Sequence, residues 1–282
     1  MIARPGTNIG GGISRIAMAK RTPASGDLIH SIAAVSALAV SGSPDAHRGC
    51  NLAPRQVNQP ERPTSFEGAA VSLVRVHNFS VSLDGFATGE GQALETPFGH
   101  AGHRLHEWMF GTRFAREMFG EPGGAEGVDH VMAARHGPGI GAEIMGAGKF
   151  GPPGWQDDPE WRGWWGDNPP FHTPTYILTH RPRPPLEMEA GTTFHFLDAT
   201  PAAALEVARD AAAGQDVRIG GGPTMMRAFL AAGLVDQLHV VQVPILLGRG
   251  VRLWDGLEAL EQQYKVEVFL SPSGVTHLTF TR

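Results

Sequence analysis

The stretch that most constrains the fold is residues 216–250, DVRIGGGPTMMRAFLAAGLVDQLHVVQVPILLGRG. Val217 and Ile219 alternate as in a half-buried strand. Gly220, Gly221 and Gly222 follow, and then Pro223, which suits the first turn of a helix because its missing N–H would have no partner there. Met225, Met226, Phe229 and Leu230 recur at helical spacing, and Gly233 stands where a left-handed cap would end the helix. A second apolar strand is predicted over residues 238–247. Strand, glycine turn, helix and strand form a βαβ unit, the building block of a parallel sheet.

Glycines between a strand and a helix let a ligand approach the backbone, and the helix N-terminus offers free N–H groups to an anion. A pyrophosphate cradle and a plain tight turn both satisfy this pattern. The run is not the GxGxxG dinucleotide fingerprint, because Met225 stands where the third glycine belongs.

The rest of the chain sets limits. A length of 282 residues gives ample core, and the net charge of −5 offers no basic surface for nucleic acid. The single cysteine, Cys50, excludes an intramolecular disulfide framework and a cysteine zinc cluster. Residues 1–69 are rich in Gly, Ser, Ala and Pro and lack periodicity, so a disordered extension is expected before a domain at 70–282. Within it, residues 28–40 form a weak apolar run after Lys20 and Arg21. A secretory signal, a disordered tail and a start codon placed too far upstream are its readings; it is too short to span a bilayer.

Residues 71–83 read as the first strand, ending in the turn dipeptide Asp84-Gly85. A carboxylate just past a strand end suits ligand binding, and it equally suits a turn. His100, His103 and His106 are spaced by three, which on a helix makes them drift around the surface, so no metal site is expected. The default is a helix beside Trp108. Residues 128–136 read as a short helix, 142–145 as a strand and 146–149 as a turn. Residues 151–172 hold Trp155, Trp161, Trp164 and Trp165 without any period: either a wall that stacks on a planar heterocycle or an arm packed on the core. A strand over 175–179 ends in His180-Arg181-Pro182-Arg183, where guanidinium groups could hold a phosphate or form a solvated loop. A strand over 193–197, a helix capped by Thr200, and a closing hairpin over 264–270 and 275–281 complete the reading.

The run RIGGGPTMMRAFLAAGLVDQLHVVQVPILLGRGVRLWDG resembles the dihydrofolate reductase-like superfamily, and in particular stand-alone relatives of the reductase domain of the bacterial bifunctional riboflavin-biosynthesis deaminase-reductase. SVSLDGFATG, GAEIMGAGKF, YILTHRPR and GVTHLTFTR extend the likeness over residues 70–282. It implies an α/β, dihydrofolate reductase-like three-layer fold, with a mostly parallel sheet and an antiparallel C-terminal hairpin. It also implies an NADPH-dependent reductase, cytoplasmic and compatible with a homodimer, acting on a pteridine-like or pyrimidine-like small molecule. A non-catalytic nucleotide-binding or sensing module on the same fold is the alternative. On this likeness the cofactor would meet Met145, Gly146, Lys149, Thr179, Arg181, Arg183, Gly220, Gly221, Gly222 and Thr224. Ser82 and Asp84 would be catalytic, and Trp108, Trp164 and Trp165 would face the substrate. Ala147 departs from the pattern, since close relatives carry arginine there. No HxE…PCxxC zinc motif occurs, so a deaminase half is not expected.

Residues 1–68 lack the apolar periodicity that offsets ordering entropy. Their deletion is expected to leave the melting temperature and nucleotide binding unchanged, measured by thermal denaturation with and without NADPH; loss of soluble protein would contradict this.

Overall fold

The glycine run lies at the carboxyl end of a strand in the middle of the molecule. The computed structural model describes residues 72–282 apart from Phe119 and His136. The expectations for residues 1–69, including the apolar run at 28–40, lie outside the described residues. The strands are β1 (Val74–Ser82), β2 (Phe86–Gly89), β3 (Ile140–Gly146), β4 (Pro174–Leu178), β5 (Leu186–Glu187), β6 (Thr193–Leu197), β7 (Asp216–Gly220), β8 (Gln237–Val243), β9 (Gly250–Arg252), β10 (Lys265–Leu270) and β11 (Thr276–Thr281). The α-helices are α1 (Glu107–Phe110), α2 (Arg113–Met118), α3 (Val128–Ala134), α4 (Ala147–Phe150), α5 (Pro201–Ala212) and α6 (Pro223–Ala231). None of the described helices is long and apolar enough to cross a membrane.

One sheet runs in the order β10-β11-β8-β1-β7-β3-β4-β6-β5, and β2 pairs separately with β9. From β8 to β6 all neighbours are parallel. The C-terminal hairpin adds antiparallel to β8, and β5 adds antiparallel to β6. This is the mostly parallel α/β sheet with a C-terminal hairpin that the sequence predicts. The unit β7–α6–β8 forms, but β1 lies between its two strands and pairs with both. Strand β8 stops at Val243, short of the predicted 247, because Pro244 has no N–H for a ladder. Of residues 146–149, expected as a turn, Gly146 ends β3 and the other three enter the single helical turn α4, and the helix predicted at 128–136 ends at Ala134.

Both faces of the sheet are covered. On one face Ala142, Ile144, Val217, Ile219, Leu238 and Val240 pack under α5 and α6. On the other, Val241 and Val243 pack with Leu105, Met109 and Phe114 near one edge. Near the opposite edge Met145, Ile177, Phe194 and Phe196 meet Phe150, Trp155, Trp164, Trp165 and Phe171. The tryptophan segment therefore serves as the third layer there, an arm packed on the core. Helix α5 starts as predicted: the Thr200 hydroxyl accepts from the Ala203 N–H, with Pro201 in the first turn.

Strand β1 carries a bulge that the sequence does not announce. Two residues lie between Val76 and Phe79 where one lies between their partners Leu238 and Val240. The extra residue lets Phe79 and Val81 return to the face of Val74 and Val76. Asn78 absorbs the bend at φ 56°, in the left-handed region that asparagine tolerates. Its backbone N–H donates to Nδ1 of His239 at 3.2 Å. That bond fixes the tautomers behind it: His239 Nε2–H donates to His277 Nδ1 at 3.0 Å, and His277 Nε2–H donates to Asp129 at 2.9 Å. Desolvation, aided by the charges of His277 and Arg135, lowers His239 to about 3.

A histidine held neutral in the folded state binds fewer protons than in the unfolded chain. Stability is therefore expected to fall as the pH drops below 6.5 and to stop falling on this account near 3. His239→Asn, which keeps an acceptor for Asn78 but cannot be protonated, should lose less stability over that window in urea denaturation. Equal losses in both proteins would remove the relay from the account.

Candidate functional site

A cavity of about 720 Å³ opens where β3, β4, β6 and β7 end, in the size range of small-molecule sites. Gly146, Thr179, Leu197 and Gly220 bring the strand ends to it, and Gly221, Gly222 and Thr224 bring the start of α6. The bulge of β1 supplies Asn78 and Ser80 to its wall, and Thr88, Gln92 and His106 supply the rim.

The three glycines are bare for three different reasons. A Cβ on Gly220 would lie 2.4 Å from Lys149 Nζ and 2.9 Å from Glu143 Oε1, so this position makes room for a side chain of the protein. Gly221 has φ 132°, which L side chains rarely adopt, and a Cβ there would sit 3.1 Å from the Gly146 nitrogen. A Cβ on Gly222 would meet nothing within 4 Å, so the space in front of the α6 amides is open. Of the three, Gly222 leaves room for a ligand.

Beneath the turn lies a charged group that the sequence reading did not assemble. Glu143, fully buried on β3, faces Arg218 in register on β7. Its Oε2 accepts from Arg218 Nε at 2.8 Å and also from Nη2, and its Oε1 accepts from Lys149 Nζ at 2.9 Å. Burial, reinforced by Arg218, lowers the Lys149 pKa against the pull of Glu143. Both cations line the cavity. His106, packed at a tilt against Phe98 with ring centroids 4.4 Å apart, is lowered to about 4 by desolvation and then by repulsion from His103. It faces the cleft as a neutral ring at neutral pH. The sequence held a signal for the charged group: Glu143 and Arg218 are each flanked by core residues of a predicted strand.

The other predicted site residues divide sharply. Gly146, Lys149, Thr179, Arg181, Gly220, Gly221, Gly222, Thr224 and Trp164 line the cavity. Met145, Trp108 and Trp165 are core residues off its wall. The Trp108 indole N–H donates to Ser80 Oγ at 3.0 Å. Arg183 is taken up by the aromatic layer: its guanidinium carbon lies 4.6 Å from the Phe196 ring centroid and 5.1 Å from that of Trp155, and Nη2 donates to the Trp161 carbonyl. Arg181 remains half exposed beside the cleft, paired with Asp157 at 2.7 Å. The short side chain of Ala147 borders a side recess of about 110 Å³, shared with Gln156 and Trp164.

Ser82 and Asp84 also stand off the cavity wall. Asp84 Oδ1 accepts the Ser82 hydroxyl at 2.5 Å and the Leu247 N–H at 3.1 Å, and Oδ2 accepts the Gly248 N–H at 2.7 Å. The Phe86 N–H donates to Ser82 Oγ at 3.0 Å. The carboxylate is a clamp between the end of β1 and the loop after β8. Desolvation opposes its ionisation but is outweighed by the bonds from Ser82, Gly248 and Leu247, so its pKa lies below the ordinary 3.8. Charged Asp84 thus stabilises the fold above pH 3.8, and the effect is lost as the pH falls through the lowered value. Asp84→Asn is expected to cost about 1–2 kcal/mol at neutral pH, allowing for solvent screening. The difference from the parent protein should close in acid, as read from urea midpoints against pH. A difference that stays constant all the way into strong acid would show that charge is not the cause.

The family described as the RibD C-terminal domain matches residues 75–276. No curated protein sequence matches the chain. Among solved structures it is similar to one described as a riboflavin biosynthesis protein from Shewanella sp. PV-4, with 18% identity over 75% of this chain and 99% of that chain and a TM-score of 0.46. It is similar to Acinetobacter baumannii RibD (17% identity, 75% of this chain, TM-score 0.41), of whose length it covers 58%. It is similar also to dihydrofolate reductase from Enterococcus faecalis, solved with NADP(H), with 13% identity over 75% of this chain and 96% of that chain and a TM-score of 0.39.

Proposed function

The chain belongs to the RibD C-terminal domain family, and from this premise we propose that it is an NADPH-dependent reductase of a C=N or C=O bond in a pteridine-like or pyrimidine-like substrate. The observation that carries the reading is the cleft itself: a large cavity at the ends of parallel strands, with an open glycine turn before α6 and buried cations in its floor. A dinucleotide fits such a site. Gly146, Gly222, Thr224 and Lys149 would hold its phosphates, and Arg181 would meet the 2′-phosphate. When bound, the nicotinamide supplies the hydride; the protein supplies position and electrostatics. Thr88, Gln92 and His106 on the opposite rim offer hydroxyl, amide and neutral imidazole groups that can orient a heterocycle. Asp84 is saturated by its clamp, so the proton that accompanies reduction reaches the substrate through water. Riboflavin-pathway and dihydrofolate-type substrates both suit this cleft.

A second reading, a nucleotide-binding or sensing module, is favoured by one observation, that Asp84 does not reach the cleft, and by the lack at Ala147 of the arginine that the resemblance implies. NADPH oxidation across a panel of pterins and aminopyrimidines separates the two. Turnover with any member supports the reductase; tight NADPH binding with none supports the module.

Cofactor choice gives a sharper test. Arg181→Ala should weaken NADPH binding by about three- to tenfold, the range for one exposed charge-assisted contact, and leave NADH nearly unchanged. Arg183→Ala should instead lower the melting temperature, because it removes a cation from the aromatic layer. Dissociation constants for both cofactors at two salt concentrations decide it. Equal loss for NADPH and NADH in Arg181→Ala would detach Arg181 from the 2′-phosphate.

A further inference from the structure

We infer that the half of the cleft built by β1, β2 and the segment leading to α1 takes an uncharged heterocycle, one without phosphate or carboxylate, and holds it by hydrogen bonds alone. The inference deepens the reductase reading and rests on it: with the nucleotide at the ends of β3, β4, β6 and β7, this half is left for the substrate. Charge is divided unevenly between the two halves. Lys149, Arg181, Asp198 and Arg218 all border the nucleotide half. On the other half, the only ionisable groups among the described residues are the imidazoles of His77 and His106. The His77 ring lies edge-on to His239, centroids 6.4 Å apart, with Nε2 shut off from solvent. His106 is kept neutral by burial and by its neighbour His103, its pKa pushed down to about 4.

The arginines closest to this half in the chain are engaged elsewhere. Strand β9 sends Val251 to the wall, but Arg249 before it and Arg252 at its end stand off the cavity. Arg249 meets Glu90 at 3.6 Å and His100 at 3.2 Å. Arg252 donates to the Asp84 carbonyl at 2.6 Å and lies over the Phe86 ring. Arg104 and Glu107, next to His106 in sequence, are off the wall as well. A phosphate or carboxylate drawn into this half would lose water and gain no cation, which is costly. What the wall offers instead is neutral. Ser80 Oγ accepts the Trp108 indole N–H at 3.0 Å, which leaves its own proton to donate. Gln92 donates through Nε2 to the Pro97 carbonyl at 2.8 Å, which leaves its amide oxygen to accept. Thr88 donates to the Phe98 carbonyl at 3.1 Å and keeps lone pairs on its hydroxyl. The His106 ring packs between Phe98 and Phe110, and as a neutral imidazole it has one nitrogen to donate and one to accept. Mixed donors and acceptors without formal charge suit a ring edge that carries adjacent N–H and C=O groups.

Two pairs of ligands that differ in a charged tail test this on the intact protein, with and without NADP+. One pair is a diaminopyrimidinone riboside and its 5′-phosphate. The other is 7,8-dihydrobiopterin and 7,8-dihydrofolate, which ends in two carboxylates. Titration calorimetry is expected to give each uncharged member an affinity about tenfold or more above that of its charged counterpart, as for an anion desolvated without a partner. Gln92→Lys, at an exposed rim position, supplies a cation and should narrow that preference by about threefold, the scale of one screened surface charge.

A charged member bound by the parent protein as tightly as its uncharged counterpart, or more tightly, would overturn the inference, as would binding of neither uncharged member. NADPH oxidation with the same four compounds separates this outcome from the reductase reading. Oxidation with the charged members only leaves the reductase and removes the neutral pocket. Preferential binding of the uncharged members without any oxidation of NADPH keeps the pocket and sinks the reductase.

Discussion

The ion pair between Glu143 and Arg218 ties together the two central strands on which the cleft is built. It joins β3 to β7 in register, under the turn where both strands end. Removing Glu143 would strand both Arg218 and Lys149, the kind of loss that costs about 3–5 kcal/mol because buried charge is left without a partner. The pair also dictates what surrounds it. Lys149 reaches the carboxylate past Gly220, where a Cβ would lie 2.4 Å from its ammonium, and α4 follows β3 directly. The glycine turn is thus constrained from below by the protein before any ligand approaches from above.

A second constraint closes the far side of the cleft. The β1 bulge exposes Asn78 and Ser80 to the cavity, and each is tied backwards into the molecule, Asn78 to His239 and Ser80 to Trp108. Trp108 in turn packs edge-on against His277, with centroids 5.3 Å apart. Asp84, at the end of the same strand, fixes the loop after β8 through two backbone N–H groups. A carboxylate just past a strand end can therefore shape a site without entering it.

Much of the fold was legible in the sequence, because local chemistry encodes it. Pro223 and Thr200 marked two helix starts, alternation marked β6 and β7, and the hairpin closed as expected. Insertion of β1 between β7 and β8 was not legible, since it depends on pairing between residues far apart in the chain. Nor was the bulge, which breaks alternation by one residue at Asn78. Of the proposed site, the glycine turn, Lys149 and Arg181 could be read from their types and places. Arg183 could not be told from Arg181: both are arginines after the same strand, and only the aromatic layer decides that one is stacked and the other exposed. Glu143 could have been suspected, as a carboxylate within an apolar strand that needs a cation, but the identity of that cation is a matter of register.

The aromatic arm has an evolutionary consequence. Trp155, Trp165 and Phe171 anchor it on Phe150, Phe194 and Phe196 by ring packing, and no helix or strand longer than one short 3₁₀ turn runs through it. Residues between such anchors answer to no repeating pattern of hydrogen bonds. Gln156, which faces the cleft from this arm, can therefore be exchanged, and the stretches between anchors lengthened or shortened, while the sheet beneath stays as it is. The charged chemistry of the strand ends and the shape of the wall are carried by separate parts of the chain, so the wall can be recut without disturbing the sheet that holds the charges.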